Sequence, residues 1–166
     1  MKKNKSCVII PCRYASSRFN GKPLANLSGR PLLYYPYMAS IKAKKIDDVF
    51  IATDDDKIAR VCKDLKFNFI MTSNKHCCGT DRIAEAYQKL KVKYQIIVNV
   101  QGDEPFIKSS EIDKCVNIMI DNQNYLALNG ISKILNSADI INTGVVKVVK
   151  NNKNKILYLS RSPIPY

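Results

Sequence analysis

The chain has 166 residues, which a prior of about 150 residues per domain reads as one domain over 1–166. Hydrophobic residues at 46% and charged residues at 25% exclude a disordered chain, and no apolar stretch approaches the roughly 18 residues of a membrane span. The net charge of +13, from 27 basic and 14 acidic residues, points to anionic partners, yet it is dispersed among asparagines, as over 150–155, and argues compositional bias more than a polyanion surface. Residues 6–11 form a short apolar run ending in proline, the pattern of a buried strand. The basic start followed by so short an apolar run is no signal peptide, so the expected location is cytoplasmic. Residues 12–22 read as a polar loop. Residues 31–44 read as a helix with Pro31 in its first turn. A second strand is expected over 49–53. Asp54, Asp55 and Asp56 then lead into a helix over 57–66, with Ile58, Val61, Cys62 and Leu65 at helical spacing; one aspartate caps it and the others are solvated. A third strand over 67–71 and a helix over 80–90 follow, the helix with Ile83, Ala84, Tyr87 and Leu90 on one face. Residues 95–100 are the most strand-like run in the chain. Ser109 or Ser110 caps a helix to about residue 121, and 126–134, 145–149 and 156–159 read as strands.

Strands alternating with helices of this length predict βαβ units, hence a mostly parallel sheet with helices on both faces. In such sheets ligands bind beyond the carboxyl ends of the strands. That rule selects the segments after Pro11, Thr53, Met71 and Val100. Six cysteines stand at 7, 12, 62, 77, 78 and 115, with no C-x-x-C pair and a single histidine, which argues against a structural zinc site and for reduced thiols.

The first strand-end loop runs Pro11-Cys12-Arg13-Tyr14-Ala15-Ser16-Ser17-Arg18-Phe19-Asn20-Gly21-Lys22-Pro23-Leu24. Arg13, Arg18 and Lys22 converge within ten residues, and the small residues among them allow close approach of backbone amides. A triphosphate needs that combination of amides, guanidinium forks and a lysine point charge. The spacing is neither G-x-x-x-x-G-K-[ST] nor G-x-G-x-x-G, so a Walker loop and a dinucleotide fingerprint are excluded. The fourth strand ends in Gln101-Gly102-Asp103-Glu104, where the glycine allows a sharp turn and Asp103 is left at the sheet edge. A lone carboxylate beside a phosphate loop suits Mg²⁺, and Glu104 serves equally on these grounds. A turn aspartate bonded to its own backbone is the plainer alternative.

The third strand leads to His76-Cys77-Cys78-Gly79-Thr80-Asp81-Arg82. Thr80 or Asp81 opens a helix whose free amides favour an anion. Arg82 in the first turn opposes the helix dipole, which suggests a ligand, with an ion pair to Asp81 or Glu85 as the alternative. His76 reads as structural, and the vicinal cysteines lack a base-and-orienter set. Tyr34, Tyr35 and Tyr37 fit the buried face of a helix.

Together these segments resemble one family. P-C-R-Y-A-S-S-R-F-N-G-K-P-L, I-A-T-D-D, H-C-C-G-T-D-R, V-N-V-Q-G-D-E-P, V-V-K-V-V and L-Y-L-S-R-S-P-I-P follow in the order of the 3-deoxy-manno-octulosonate (Kdo) cytidylyltransferases, or CMP-Kdo synthetases. The likeness runs from about residue 6 to 166. It implies a Rossmann-like nucleotidyltransferase fold of the glycosyltransferase A type, a three-layer α/β sandwich with a mostly parallel central sheet. It also implies transfer of CMP from CTP to Kdo with Mg²⁺, for lipopolysaccharide assembly. Arg13, Lys22 and Asp103 are then the catalytic set, with Arg13, Arg18, Lys22, Gly79 and Thr80 on the nucleotide and Asp103 on the metal. Arg82, Gln101 and Arg161 are expected on the sugar. CTP and Kdo are the expected partners, with neither nucleic acid nor membrane, and the full-length family implies a homodimer. The departures are Asn20 for the usual proline, Cys78 for the usual serine, and a chain that stops at Tyr166, where family members continue to a second metal-binding aspartate and further sugar contacts. The expectation is a chain that lacks part of the sugar site, binds CTP, turns over poorly and exposes apolar surface. Transfer to another acidic sugar, or CTP binding without catalysis, are the competing expectations. A nucleic-acid-binding protein, motivated by the charge alone, is the third.

Overall fold

A computed structural model describes residues 5–15 and 19–164. The chain divides into two compact units, Met1–Ala127 and Leu128–Tyr166.

In the first unit, β1 (Ser6–Cys12) is followed by a small hairpin of β2 (Asn26–Leu27) and β3 (Arg30–Pro31). Then come α1 (Tyr34–Ile41), β4 (Asp48–Thr53), α2 (Asp56–Asp64), β5 (Phe69–Met71), α3 (Gly79–Lys89), β6 (Ile96–Asn99) and α4 (Ser109–Asp121). The main sheet has the order β5-β4-β1-β6, and every pair in it is parallel. β1 is central, in register Val8↔Val49 on one side and Val8↔Val98 on the other. A parallel strand covered on both faces has to be apolar throughout, and Cys7, Val8, Ile9 and Ile10 are all fully buried. Successive side chains face opposite layers. Val8, Ile10 and Cys12 join Leu33, Tyr37, Ile58, Cys62 and Ile112, from or beside α1, α2 and α4. Cys7 and Ile9 join Ile83 and Ala86 of α3. The three-layer arrangement expected from the alternation is present. The chain builds outward from β1 to β5 and then returns to β6 on the other side. That reversal leaves a crevice beyond the carboxyl ends of β1 and β6.

Several local expectations change. Pro31 lies in β3, paired with Asn26, and α1 starts at Tyr34. The reason is the turn: Ser28 (φ 49°) and Gly29 (φ 84°) are both left-handed, which suits a two-residue hairpin. Asp55 is the cap of α2, accepting from Lys57 N at 2.8 Å and Ile58 N at 3.2 Å. Neither Ser109 nor Ser110 caps α4. Lys108 holds the cap position, and its amide donates to Glu111 Oε2 at 3.1 Å, the reach-back half of a capping box.

The second unit contains α5 (Ala138–Ile141) and an antiparallel hairpin of β7 (Lys147–Lys150) and β8 (Ile156–Ser160). The strand expected over 126–134 does not form. Those residues carry no helix or strand and are exposed. β-propensity is expressed against a pairing neighbour, and this run has none among the described residues. All six thiols are free. No helix among the described residues is long and apolar enough to cross a membrane.

Candidate active site

The site is built at the crevice between β1 and β6. Arg13 follows the buried Cys12 and is exposed. Tyr14 closes the base of the first loop: Gly21 N donates to Tyr14 O at 2.8 Å. Gly21 has φ 71°, and a Cβ there would meet the Tyr14 ring at 2.9 Å, so glycine is required on two counts. Lys57 Nζ covers the same ring, 4.4 Å from its centroid. Gly21 leads into a 3₁₀ turn, Lys22–Leu24, with Pro23 buried beneath it. That turn presents Lys22. Arg18 lies outside the described residues.

Beyond β6, Val100 is buried and Gly102 packs against the end of β1. A Cβ on Gly102 would meet Cys12 Sγ at 2.5 Å and Pro11 O at 3.2 Å. Gly102 is absent from the glycines with positive φ. The glycine is therefore demanded by close approach, not by the sharp turn expected for it. The approach seats Asp103 beside the first loop, and Lys22 Nζ lies 2.5 Å from Asp103 Oδ2. Two residues singled out for triphosphate and metal, 81 positions apart, thus meet. Both are open, at 45% and 44% side-chain exposure. An exposed ion pair contributes about 0–1 kcal/mol, so an incoming phosphate or cation displaces it at little cost. Glu104, left open beside Asp103 by the sequence, differs from it. Burial, then the charges of Asp103 and Glu111, raise its affinity for a proton, whereas Asp103 is the carboxylate that already holds a cation.

The fit of a metal rests on that carboxylate. Among the described residues no three His, Cys, Asp or Glu side chains converge. A divalent ion at Asp103 would draw its remaining oxygens from phosphate and water, a donor set that suits Mg²⁺.

The amino end of α3 abuts the same corner, since a Cβ on Gly79 would lie 3.2 Å from Pro11 Cγ. Cys78, at the cap position, makes no side-chain cap bond. The first-turn amides at Gly79 and Thr80 are left uncapped by any side chain, and Thr80 is exposed. The preceding segment is strapped to the helix. Glu85 accepts from Ser73 N at 2.9 Å, pairs with Lys89 at 2.7 Å and binds His76 Nε2. The Lys89 bond first, then Ser73 and His76, hold the Glu85 carboxyl down at about 2.

Arg82 is placed differently from the sugar-facing role expected of it. It is 3% exposed, with Nη1 donating to Thr72 Oγ1 at 2.6 Å and Ser73 O at 3.3 Å, and Nη2 to Asp54 Oδ2 at 2.9 Å. It is an internal clamp between the ends of β4 and β5. Its partner is neither Asp81 nor Glu85, and Asp54 is not solvated. The cation set against the dipole was the legible signal; its partner lies after another strand and was not. Gln101 is exposed and donates to Asn99 Oδ1 at 3.0 Å, within its own strand end. Arg161 belongs to the second unit, where Nη1 donates to Thr143 O at 3.1 Å and Gly144 O at 3.2 Å. The role of Lys57 on Tyr14 was not read from the sequence, because nothing local links the start of α2 to the first loop.

Comparison with known proteins gives a consistent set. The sequence model of the cytidylyltransferases matches residues 7–166. The chain is 43% identical to 3-deoxy-manno-octulosonate cytidylyltransferase of Thermodesulfovibrio yellowstonii, covering 95% of this chain and 64% of that protein. The same enzyme of Anaeromyxobacter sp. strain K is 42% identical, over 96% of this chain and 64% of its own. The chain therefore spans just under two thirds of the curated relatives it matches. Among solved structures, a CMP:2-keto-3-deoxy-manno-octonic acid synthetase complexed with CTP superposes with a TM-score of 0.82 at 36% identity, covering 98% of this chain and 66% of that one. The fold is thus the Rossmann-like nucleotidyltransferase fold.

Proposed function

The chain belongs to the cytidylyltransferase family, and from that premise we propose that it transfers CMP from CTP to the anomeric hydroxyl of Kdo, releasing pyrophosphate. The observation that carries this reading is the Lys22–Asp103 pair at the crevice where the strand order reverses. A cation for phosphate and a carboxylate for metal stand side by side, open to solvent and cheap to separate. The relatives, 3-deoxy-manno-octulosonate cytidylyltransferases and a synthetase complexed with CTP, suggest the nucleotide and the sugar.

The reaction joins two anions, so charge has to be neutralised and the reactants held in line. Arg13, Arg18 and Lys22 take the triphosphate, and the amides at Gly79 and Thr80 take part of the nucleotide. Asp103 would hold Mg²⁺, which would supply charge neutralisation at the α-phosphate and favour ionisation of the attacking hydroxyl. Lys22 is placed to neutralise the departing pyrophosphate. Arg161 receives the sugar carboxylate. Arg82 binds neither substrate and holds the strand ends in place. The product is a precursor for lipopolysaccharide, made in the cytoplasm.

Pyrophosphate release from CTP, Mg²⁺ and Kdo tests this on the chain and on Asp103→Ala. Release that requires Kdo and is lost in the variant is expected. No release, with CTP still raising the melting temperature, would reduce the reading to nucleotide binding. No release and no protection would overturn it.

A further inference from the structure

Lys147 in the second unit is a buried cation, 5% exposed, that the proposed reaction does not use. A buried ammonium is costly unless its protons are all bonded. Here each of the three has a backbone oxygen: Asn142 O at 2.8 Å, Val145 O at 2.8 Å and Arg161 O at 2.5 Å. The same turn is gripped by a second cation, because Arg161 Nη1 donates to Thr143 O and Gly144 O. Four consecutive carbonyls, 142 to 145, are thus taken by two side chains. The turn is further fixed from within, by Gly144 N donating to Asn142 Oδ1 at 2.8 Å and Val145 N to Asn142 O at 3.1 Å. Three divergent acceptors match a tetrahedral ammonium and not a planar guanidinium.

We propose that Lys147 is a positioning residue for Arg161. It holds the Arg161 main chain directly, and it holds both ends of the turn whose middle carbonyls anchor Nη1. With Nη1 committed, Nε and Nη2 make no bond to a described residue. That edge of the guanidinium is a fork for a carboxylate. Lys147 therefore sets where the fork stands without touching the ligand. The proposal rests on Arg161 receiving the sugar carboxylate, and the experiment separates the two.

The chain is labelled with ¹⁵N-arginine and compared with Lys147→Met and Lys147→Gln. Arg161→Ala assigns its resonance and Arg82 is the internal reference. In the parent chain, Arg161 is expected to show a guanidinium with restricted rotation. In Lys147→Met that signature is expected to collapse while the Arg82 signal and the hairpin amides persist, with Lys147→Gln between. Kdo titrations read the consequence: affinity falls on the order of tenfold in Lys147→Met, the cost of misaligning one charge-assisted fork, with CTP affinity unchanged. An Arg161 signature or a Kdo affinity that survives Lys147→Met overturns the proposal. So does loss of the hairpin in both variants, which would make Lys147 merely structural. Collapse of the signature in Lys147→Met, with a parent chain that shows it but never binds Kdo, supports the positioning role and overturns the carboxylate reading of Arg161.

Discussion

The carboxyl edge of the sheet carries two cation–carboxylate pairs that share their chemistry and differ in burial. Arg82–Asp54, at the ends of β4 and β5, is 3% and 16% exposed, at 2.9 Å. Lys22–Asp103, at the ends of β1 and β6, is 45% and 44% exposed. In the first pair the guanidinium spreads over a carboxylate, a hydroxyl and a carbonyl, and is buried. In the second a flexible ammonium meets a single oxygen in water, and exchange costs little. The difference separates scaffold from site within one row of strand ends.

The comparison breaks most visibly at Arg82. Arg82→Met would leave Asp54 and Thr72 desolvated without their donor, and a loss of about 3 kcal/mol is expected in urea unfolding. Gly102→Ala comes next. The added Cβ cannot coexist with Cys12 Sγ at 2.5 Å, so about 1–3 kcal/mol is expected. Cys12→Ala in the same chain should recover part of it, because the clash with Pro11 O remains. Glu85 gives a pH signature. Its carboxyl sits at about 2, below the ordinary value. A depressed carboxyl stabilises above its unfolded pKa of about 4.3 and loses that contribution as pH falls toward 2. Between those limits the melting temperature should fall more steeply with falling pH in the parent chain than in Glu85→Gln. The smallest stability effect belongs to the open pair. Lys22→Ala and Asp103→Ala should each shift unfolding by less than about 1 kcal/mol, while abolishing protection by CTP with Mg²⁺. A large stability loss in either would erase the distinction between the two pairs.

The sequence made the scaffold readable where the pattern was local. The apolar run of β1, the helical spacing of Ile58, Val61 and Cys62, and a cap on α2 from one of three aspartates depend on neighbours a few residues away. The candidate residues were legible as types at strand ends, and the parallel sheet brought Lys22 and Asp103 together. What was hidden depends on distant partners. The Arg82–Asp54 clamp joins segments after different strands, Gly102 answers to a sulfur on β1, and 126–134 finds no pairing strand among the described residues. Pro31 failed for another reason: a left-handed pair at Ser28 and Gly29 outweighed the helix-start signal.

The central place of β1 also orders events in time. Its partner on one side, β4, ends at Thr53, and its partner on the other, β6, begins at Ile96. At synthesis rates of about 5–20 residues per second, the second edge of β1 stays open for seconds after the first has closed. Asp103 emerges after β6, so the pocket assembles only once that edge is sealed. A nascent chain halted before residue 96 would carry every basic group of the first loop, an unpaired apolar edge ready to aggregate, and no carboxylate for Lys22 to meet.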